Sequence, residues 1–219
     1  MRVRDLPTRL FHWVLALAVV ALVVTAKVGG GAMVWHFRLG YLVLALVVFR
    51  ILWGLVGGRW SRFASFVRGP GTVLRYLRGD SRADEHLDVG HNPLGSLSVL
   101  ALLFFLALQV GTGLVADDEI ANVGPLNRFV SSAVASQATH WHKDYGQWIL
   151  ITLVLLHVAA IVFYRVKKGK DLVRPMLMGD KLLPPGTPAA SDSTGVRLLA
   201  AGLAVACAAL VTWVVKLGG

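Results

Sequence analysis

Five separate apolar runs, each long enough to cross a lipid bilayer, constrain this chain more than any other feature of its sequence. They fall at Thr8–Lys27, His36–Val56, Pro93–Ala116, His140–Tyr164 and Val196–Leu217. A helix needs about 20 residues to span a hydrocarbon core of roughly 30 Å. In lipid, backbone N–H and C=O groups must be satisfied within the segment, so the runs predict helices rather than loops or open strands. Composition agrees: 56% of the 219 residues are hydrophobic and 16% charged, with a mean hydropathy of +0.65. A soluble domain must cover itself with more polar side chains than that. The predicted class is all-α integral membrane. It has a four-helix transmembrane core within residues 1–165, a cytoplasmic linker at 166–195 and an additional C-terminal transmembrane helix at 196–219.

The connections carry their own signals. Between the second and third runs, residues 60–90 form an interfacial segment, in which Phe63 to Leu77 alternates apolar residues with Arg68 and Arg75 in the manner of a short amphipathic helix on anionic headgroups. Gly69-Pro70-Gly71 breaks any longer helix there. From Pro184 to Thr194 the chain is rich in Pro, Ser, Thr and Gly and reads as a flexible linker. A formal charge of +10 would suggest nucleic acid in a soluble protein, but here the basic residues sit in the connections, so nucleic acid is not an expected partner. All but Lys27, Arg38, Arg128, Lys143 and Lys216 of the 22 lysines and arginines lie on one side. That bias puts the N-terminus in the cytoplasm and the C-terminus in the periplasm of a bacterial inner membrane. Arg2, Arg4 and Arg9 before an apolar stretch resemble a signal peptide, yet no small-x-small cleavage site follows, so a retained first helix is expected.

Histidines inside apolar helices are costly and usually functional. Of the seven, His12 lies about one turn inside the cytoplasmic end of the first helix, and His157 about two turns inside the cytoplasmic end of the fourth. His36 and His142 both begin their helices on the opposite side. Depth alone therefore yields two pairs, His12 with His157 and His36 with His142. His142 and His157 are 15 residues apart, about 22 Å along a helix and roughly 60° apart in azimuth. His140 is 17 residues from His157 and further round, and stands as the alternative outer ligand. Imidazoles paired on facing helices suit the axial positions of haem iron, whereas zinc wants three or four ligands converging on one point. Gly40 and Gly146, each one turn after a candidate ligand, would let a flat macrocycle approach the backbone. Arg9, Arg38, Arg50 and Arg165 are candidates for propionate pairing, and His91 for a propionate or a quinone. Gln109, Thr112, Gly111 and Gly113 read as helix-packing residues. The single cysteine, Cys207, excludes a disulfide framework, and the absence of Cys-x-x-Cys-His excludes covalent haem attachment.

These residues resemble the bacterial di-haem cytochrome b561 family, related to the b-type cytochrome subunit of nickel–iron hydrogenases. The likeness covers about residues 4–165. It rests on Arg9-Leu10-Phe11-His12-Trp13, on His36 with Gly40, Arg50 and Trp53-Gly54, on Gly90-His91-Asn92-Pro93-Leu94-Gly95 with Thr112-Gly113-Leu114, and on His142 with His157. It implies two non-covalent haem b groups with bis-histidine ligation from the first, second and fourth helices. In such proteins the last two histidines are often 14 residues apart, against 15 here.

With both axial positions filled, neither iron has room for oxygen or substrate. The expectation is therefore an electron-transfer subunit rather than a stand-alone enzyme. It would work between the quinone pool or a membrane dehydrogenase and a periplasmic redox protein such as a cytochrome c, with Asp117-Asp118-Glu119 available for docking. A quinone-coupled superoxide oxidase is the enzymatic alternative. A transporter is disfavoured, since the apolar helices hold no intramembrane carboxylate or broken-helix pair.

Overall fold

The computed structural model describes residues 1–80, 85–87, 89–183 and 186–218. Residues 81–84 and 88 of the interfacial segment, Pro184 and Pro185 of the expected linker, and Gly219 lie outside the described residues. The chain is all-helical, and among the described residues no strand forms. Five stretches are long and apolar enough to cross a membrane: Leu6–Val28, Gly30–Val56, Pro93–Val115, Ser132–Lys168 and Thr194–Lys216. In chain order the helices are α1 (Leu6–Val28), α2 (Met33–Val56), α3 (Phe63–Phe66), α4 (Pro70–Arg78), α5 (Pro93–Val115), α6 (Ser132–His140), α7 (Gln147–Lys168), α8 (Val173–Met178) and α9 (Thr194–Lys216). The interfacial segment is two short helices, because Pro70 starts α4 afresh and Gly79, at φ 84°, ends it with a left-handed cap.

The fourth crossing differs most from expectation. It starts at Ser132 rather than near His140, capped by the Ser131 hydroxyl, which accepts from Val134 N–H. Ser136, Gln137 and Thr139 lower the hydropathy of this first part without breaking the helix. Between α6 and α7 the backbone widens into a π turn over Trp141–Gly146.

Two compact units divide the chain. One comprises His12–Phe49, Leu102–Leu153 and Gly202–Gly219. Its core joins Ala18 of α1, Val43 and Val47 of α2, Leu106 of α5 and Leu150 of α7. Leu15, Ala18, Val19 and Leu22 follow the three- and four-residue steps that keep side chains on one helical face, and Leu39, Val43 and Val47 do the same on α2. No residue of α9 belongs to this cluster.

The other unit comprises Met1–Phe11, Arg50–Ala101 and Val154–Ala201. Its core is Val3, Trp60, Val89 and Ala190. The first residues run as an extended segment between two later stretches. Val3 and Arg4 N–H donate to Gly179 C=O, and Ala190 N–H donates to Arg2 C=O. Trp60 Nε1 donates to Pro188 C=O at 2.9 Å. The stretch that the sequence suggests is a loose linker thus packs on the N-terminus over residues 186–193, because its backbone groups find partners and its small residues fit. Gly179, at φ 86°, is required: a Cβ there would overlap Arg2 and the Arg4 carbonyl.

Candidate functional site

The structure brings His36 and His142 together. Their ring centroids lie 6.2 Å apart with planes at 82°. His36 Nδ1–H donates to Leu22 C=O at 3.1 Å, and Thr25 Oγ1 lies 3.4 Å from the same nitrogen. His142 Nδ1–H donates to Gln109 C=O at 2.8 Å, with Thr112 Oγ1 at 3.4 Å. A carbonyl can only accept, so each Nδ1 carries the proton and each Nε2 keeps its lone pair. Metal-bound imidazoles need this arrangement, the second nitrogen being tied down while the first faces the ion.

The pair can be tested against haem directly. Two imidazoles that shared one iron through bonds of about 2.0 Å would have their ring centres roughly 6.2 Å apart. The observed spacing matches. Among the described residues no group of three or more His, Cys, Asp or Glu side chains could hold a metal ion. A Cβ at Gly40 would meet nothing within 4 Å, so space stands open one turn from His36. At Gly113 a Cβ would come within 3.0 Å of His142 Cε1, so that glycine lets the ring lie against α5.

Residues 3–179 match the family model described as prokaryotic cytochrome b561. The chain belongs to the prokaryotic cytochrome b561 family. Curated relatives include the probable Ni/Fe-hydrogenase B-type cytochrome subunit of Bradyrhizobium diazoefficiens, 27% identical over 82% of this chain and 85% of the relative. That of Cupriavidus necator is 28% identical over 81% and 85%. The probable Ni/Fe-hydrogenase 1 B-type cytochrome subunit of Escherichia coli (strain K12) is 24% identical over 80% and 88%. No solved structure matches the chain. This b561-family protein is a membrane-embedded b-type cytochrome of electron transport, and haem b is its cofactor.

The remaining candidate residues of this cytochrome are placed as follows. His140 is exposed and bonds Asp144 at 2.7 Å. His12 is half-buried in the second turn of α1, edge-on to Trp13 at 5.1 Å. His157 is half-buried in α7. Arg165 pairs with Asp171, Arg9 donates to Leu177 C=O, and Arg38 stacks 5.1 Å over Trp35. Arg50 is different. It is 3% exposed, stacks on Phe63 and Phe66, and its Nη1 finds no hydrogen-bond partner among the described residues.

Arg50 belongs to a buried polar group that sequence reasoning overlooked. Asp5, fully buried, accepts from Thr8 N–H, Ser61 Oγ–H and Trp53 Nε1–H. Arg4, also buried, donates to Gly90 C=O at 3.1 Å and to His91 Nδ1 at 3.3 Å. His91 in turn lies 4.6 Å from the ring of Phe66. Burial, and then the charge of Arg50, pull the Arg4 guanidinium down to about 10, with Asp5 opposing both. The available signal was Asp5 directly before α1, an N-cap residue with its partner N–H three positions on.

Two readings change. Gly146 leaves no room for a macrocycle, because the Gln109 carboxamide and the Trp141 indole occupy the place its Cβ would take. Gln109 and Thr112 do more than pack helices, since both address the ring of His142. In the acidic loop, the Asp118 carboxylate accepts from the backbone N–H groups of Ile120, Ala121 and Asn122, and from Asn122 Nδ2. These bonds hold it well below the usual carboxylate range, and they turn its oxygens toward its own loop.

Proposed function

We propose that this cytochrome carries electrons through two haem b groups, between the quinone pool or a membrane oxidoreductase subunit and a periplasmic redox protein. The observation that carries the proposal is the His36–His142 pair, with both Nδ1–H groups spent on carbonyls and a ring spacing that suits one axially ligated iron. The second haem is assigned to His12 and His157 on their matched depth in the sequence. When bound, haem supplies a one-electron ferric–ferrous couple. The chain's own residues hold the imidazoles in the ligating tautomer, tune basicity through the Leu22 and Gln109 carbonyls, and keep the site within apolar helices.

Arg50 is the strongest candidate for a propionate partner, because its buried Nη1 lacks an acceptor and a carboxylate would provide one. Arg9, whose Nη1 donates to a carbonyl while its buried Nε has no partner among the described residues, stands second, and Arg38 and Arg165, already on an indole and a carboxylate, are assigned lesser parts. His91, held by Arg4, stands as the residue for a quinone or a propionate. The hydrogenase relatives support a membrane oxidoreductase as the partner. The positive-inside bias supports a cytoplasmic N-terminus in the inner membrane.

Pyridine haemochrome quantitation of the purified protein tests this reading. Two haems b per chain are expected; none, or one, sinks the two-haem assignment. Under a superoxide flux, added quinone should be reduced no faster with the protein than in the protein-free control. Its reduction through the protein would assign the superoxide oxidase reading instead.

A further inference from the structure

The π turn at Trp141–Gly146 carries His142 and needs a cause. A π turn takes up one residue more than an α turn and persists only where something holds it open. Gln109, on the neighbouring α5, touches His142 twice. Its side-chain Nε2 donates to the His142 backbone carbonyl at 2.9 Å, and its own backbone carbonyl accepts from the His142 ring at 2.8 Å. One residue thus grips both the peptide and the imidazole of the candidate ligand. The carboxamide thus gives the His142 carbonyl a donor from outside its own helix.

Gly146 completes the device. It is buried, and a Cβ there would overlap Gln109 Oε1 and come within 2.9 Å of Trp141 Nε1. The glycine therefore makes the pocket that the carboxamide fills. One turn further along α5, Gly113 lets the imidazole lie against that helix. Thr112 Oγ1 donates to the Gln109 carbonyl at 2.9 Å, fixing the acceptor that fixes the ring.

We infer that Gln109 is a positioning residue, which with Gly146 pins the π turn and so sets the orientation of the His142 imidazole at the outer haem. The inference rests on the bis-histidine reading of His36 and His142. The carboxamide binds no iron and touches no reacting atom. It acts through the peptide of the ligand, as partners behind a metal ligand commonly do. Its loss lets residues 141–147 relax toward an α-helix and turn the ring, while the Nδ1–H bond to the residue-109 backbone survives any substitution there. The expected phenotype is a retained haem with altered electronic character.

Redox titration and low-spin EPR of the purified holoprotein test it. Gln109→Ala should keep the wild-type haem content and change the outer haem's EPR signal. At fixed ambient potential it should shift the oxidised-to-reduced ratio of that haem by about tenfold, equivalent to about 59 mV for a one-electron couple. The other haem should not move. Gly146→Ala, which pushes the carboxamide out, should give the same shift in the native background and none in the Gln109→Ala background, because two changes acting through one contact are not additive. Unchanged potentials and EPR in both single variants would overturn the proposal. So would two independent shifts that add in the double variant. Should Gln109→Ala not fold, Gly146→Ala alone decides, by moving the outer haem or not. Failure of the underlying reading looks different: wild-type protein would contain no second haem to titrate.

Discussion

Replacing His142 with alanine is expected to leave one haem b per chain in place of two, with the surviving haem keeping its native spectrum and potential. The imidazole packs edge-on against that of His36, and its Nδ1–H is already committed to Gln109 C=O, leaving Nε2 for the metal. Alanine removes that nitrogen and replaces nothing. His36→Ala should lose the same haem, since one axial ligand on an otherwise apolar wall does not retain it. His140→Ala should lose none, because His140 is exposed and bonded to Asp144. His12→Ala and His157→Ala should remove the other haem and leave the first. Reduced-minus-oxidised spectra with haemochrome quantitation check all five. The pairing is wrong if His142→Ala keeps both haems, or if the losses caused by His36→Ala and His142→Ala fall on different haems.

The helices were legible because lipid imposes one demand, that backbone polarity be met inside a long apolar segment, and hydropathy measures this directly. Which face of each helix turns inward was not. Leu17 and Val20 are exposed and Ala18 is buried, yet all are apolar, because lipid tails and a packed interior accept the same side chains. Histidines escape this ambiguity, which is why His36 and His142 could be paired from depth alone. An azimuth of about 60° between His142 and His157 holds for an uninterrupted α-helix, and the π turn between them breaks that condition. The π turn, an insertion of one residue, leaves no trace in a hydropathy pattern. Gln109 looks like a packing residue in the sequence, because its partner lies 33 residues away and nothing local points to it. The unit that holds the N-terminus is harder still: Val3 and Asp5 look like the lead-in to a helix, and only the bonds of Val3 to Gly179 and of Asp5 to Trp53 and Ser61 show that they form its centre.

Asp5 is where the largest loss of stability is expected. Its side chain is fully buried, and it answers three separate needs. Oδ1 caps α1 by accepting from Thr8 N–H at 2.8 Å and also accepts from Trp53 Nε1–H at 3.4 Å. Oδ2 accepts from Ser61 Oγ–H at 2.6 Å, and Gly58 leaves room for that oxygen, since a Cβ there would stand 2.5 Å from it. Its charge also offsets two buried guanidiniums, Arg4 and Arg50. Asp5→Ala takes the neutralising charge from both cations and one acceptor from each of three donors. Removing one partner of a buried charge group costs about 3–5 kcal/mol, against a total stability of roughly 5–15 kcal/mol for a folded domain. The variant should unfold at markedly lower temperature or denaturant concentration in detergent, followed through tryptophan fluorescence. Asp5→Asn should fall between, since an amide oxygen can still cap α1 but carries no charge. Adding Arg50→Met to Asp5→Ala should recover part of the loss, because the stranded cation then disappears and an apolar chain of similar length takes its place beside Phe63 and Phe66. An Asp5→Ala protein that melts with the wild type would mean that water already screens this cluster, and that Arg4 and Arg50 do not depend on its carboxylate.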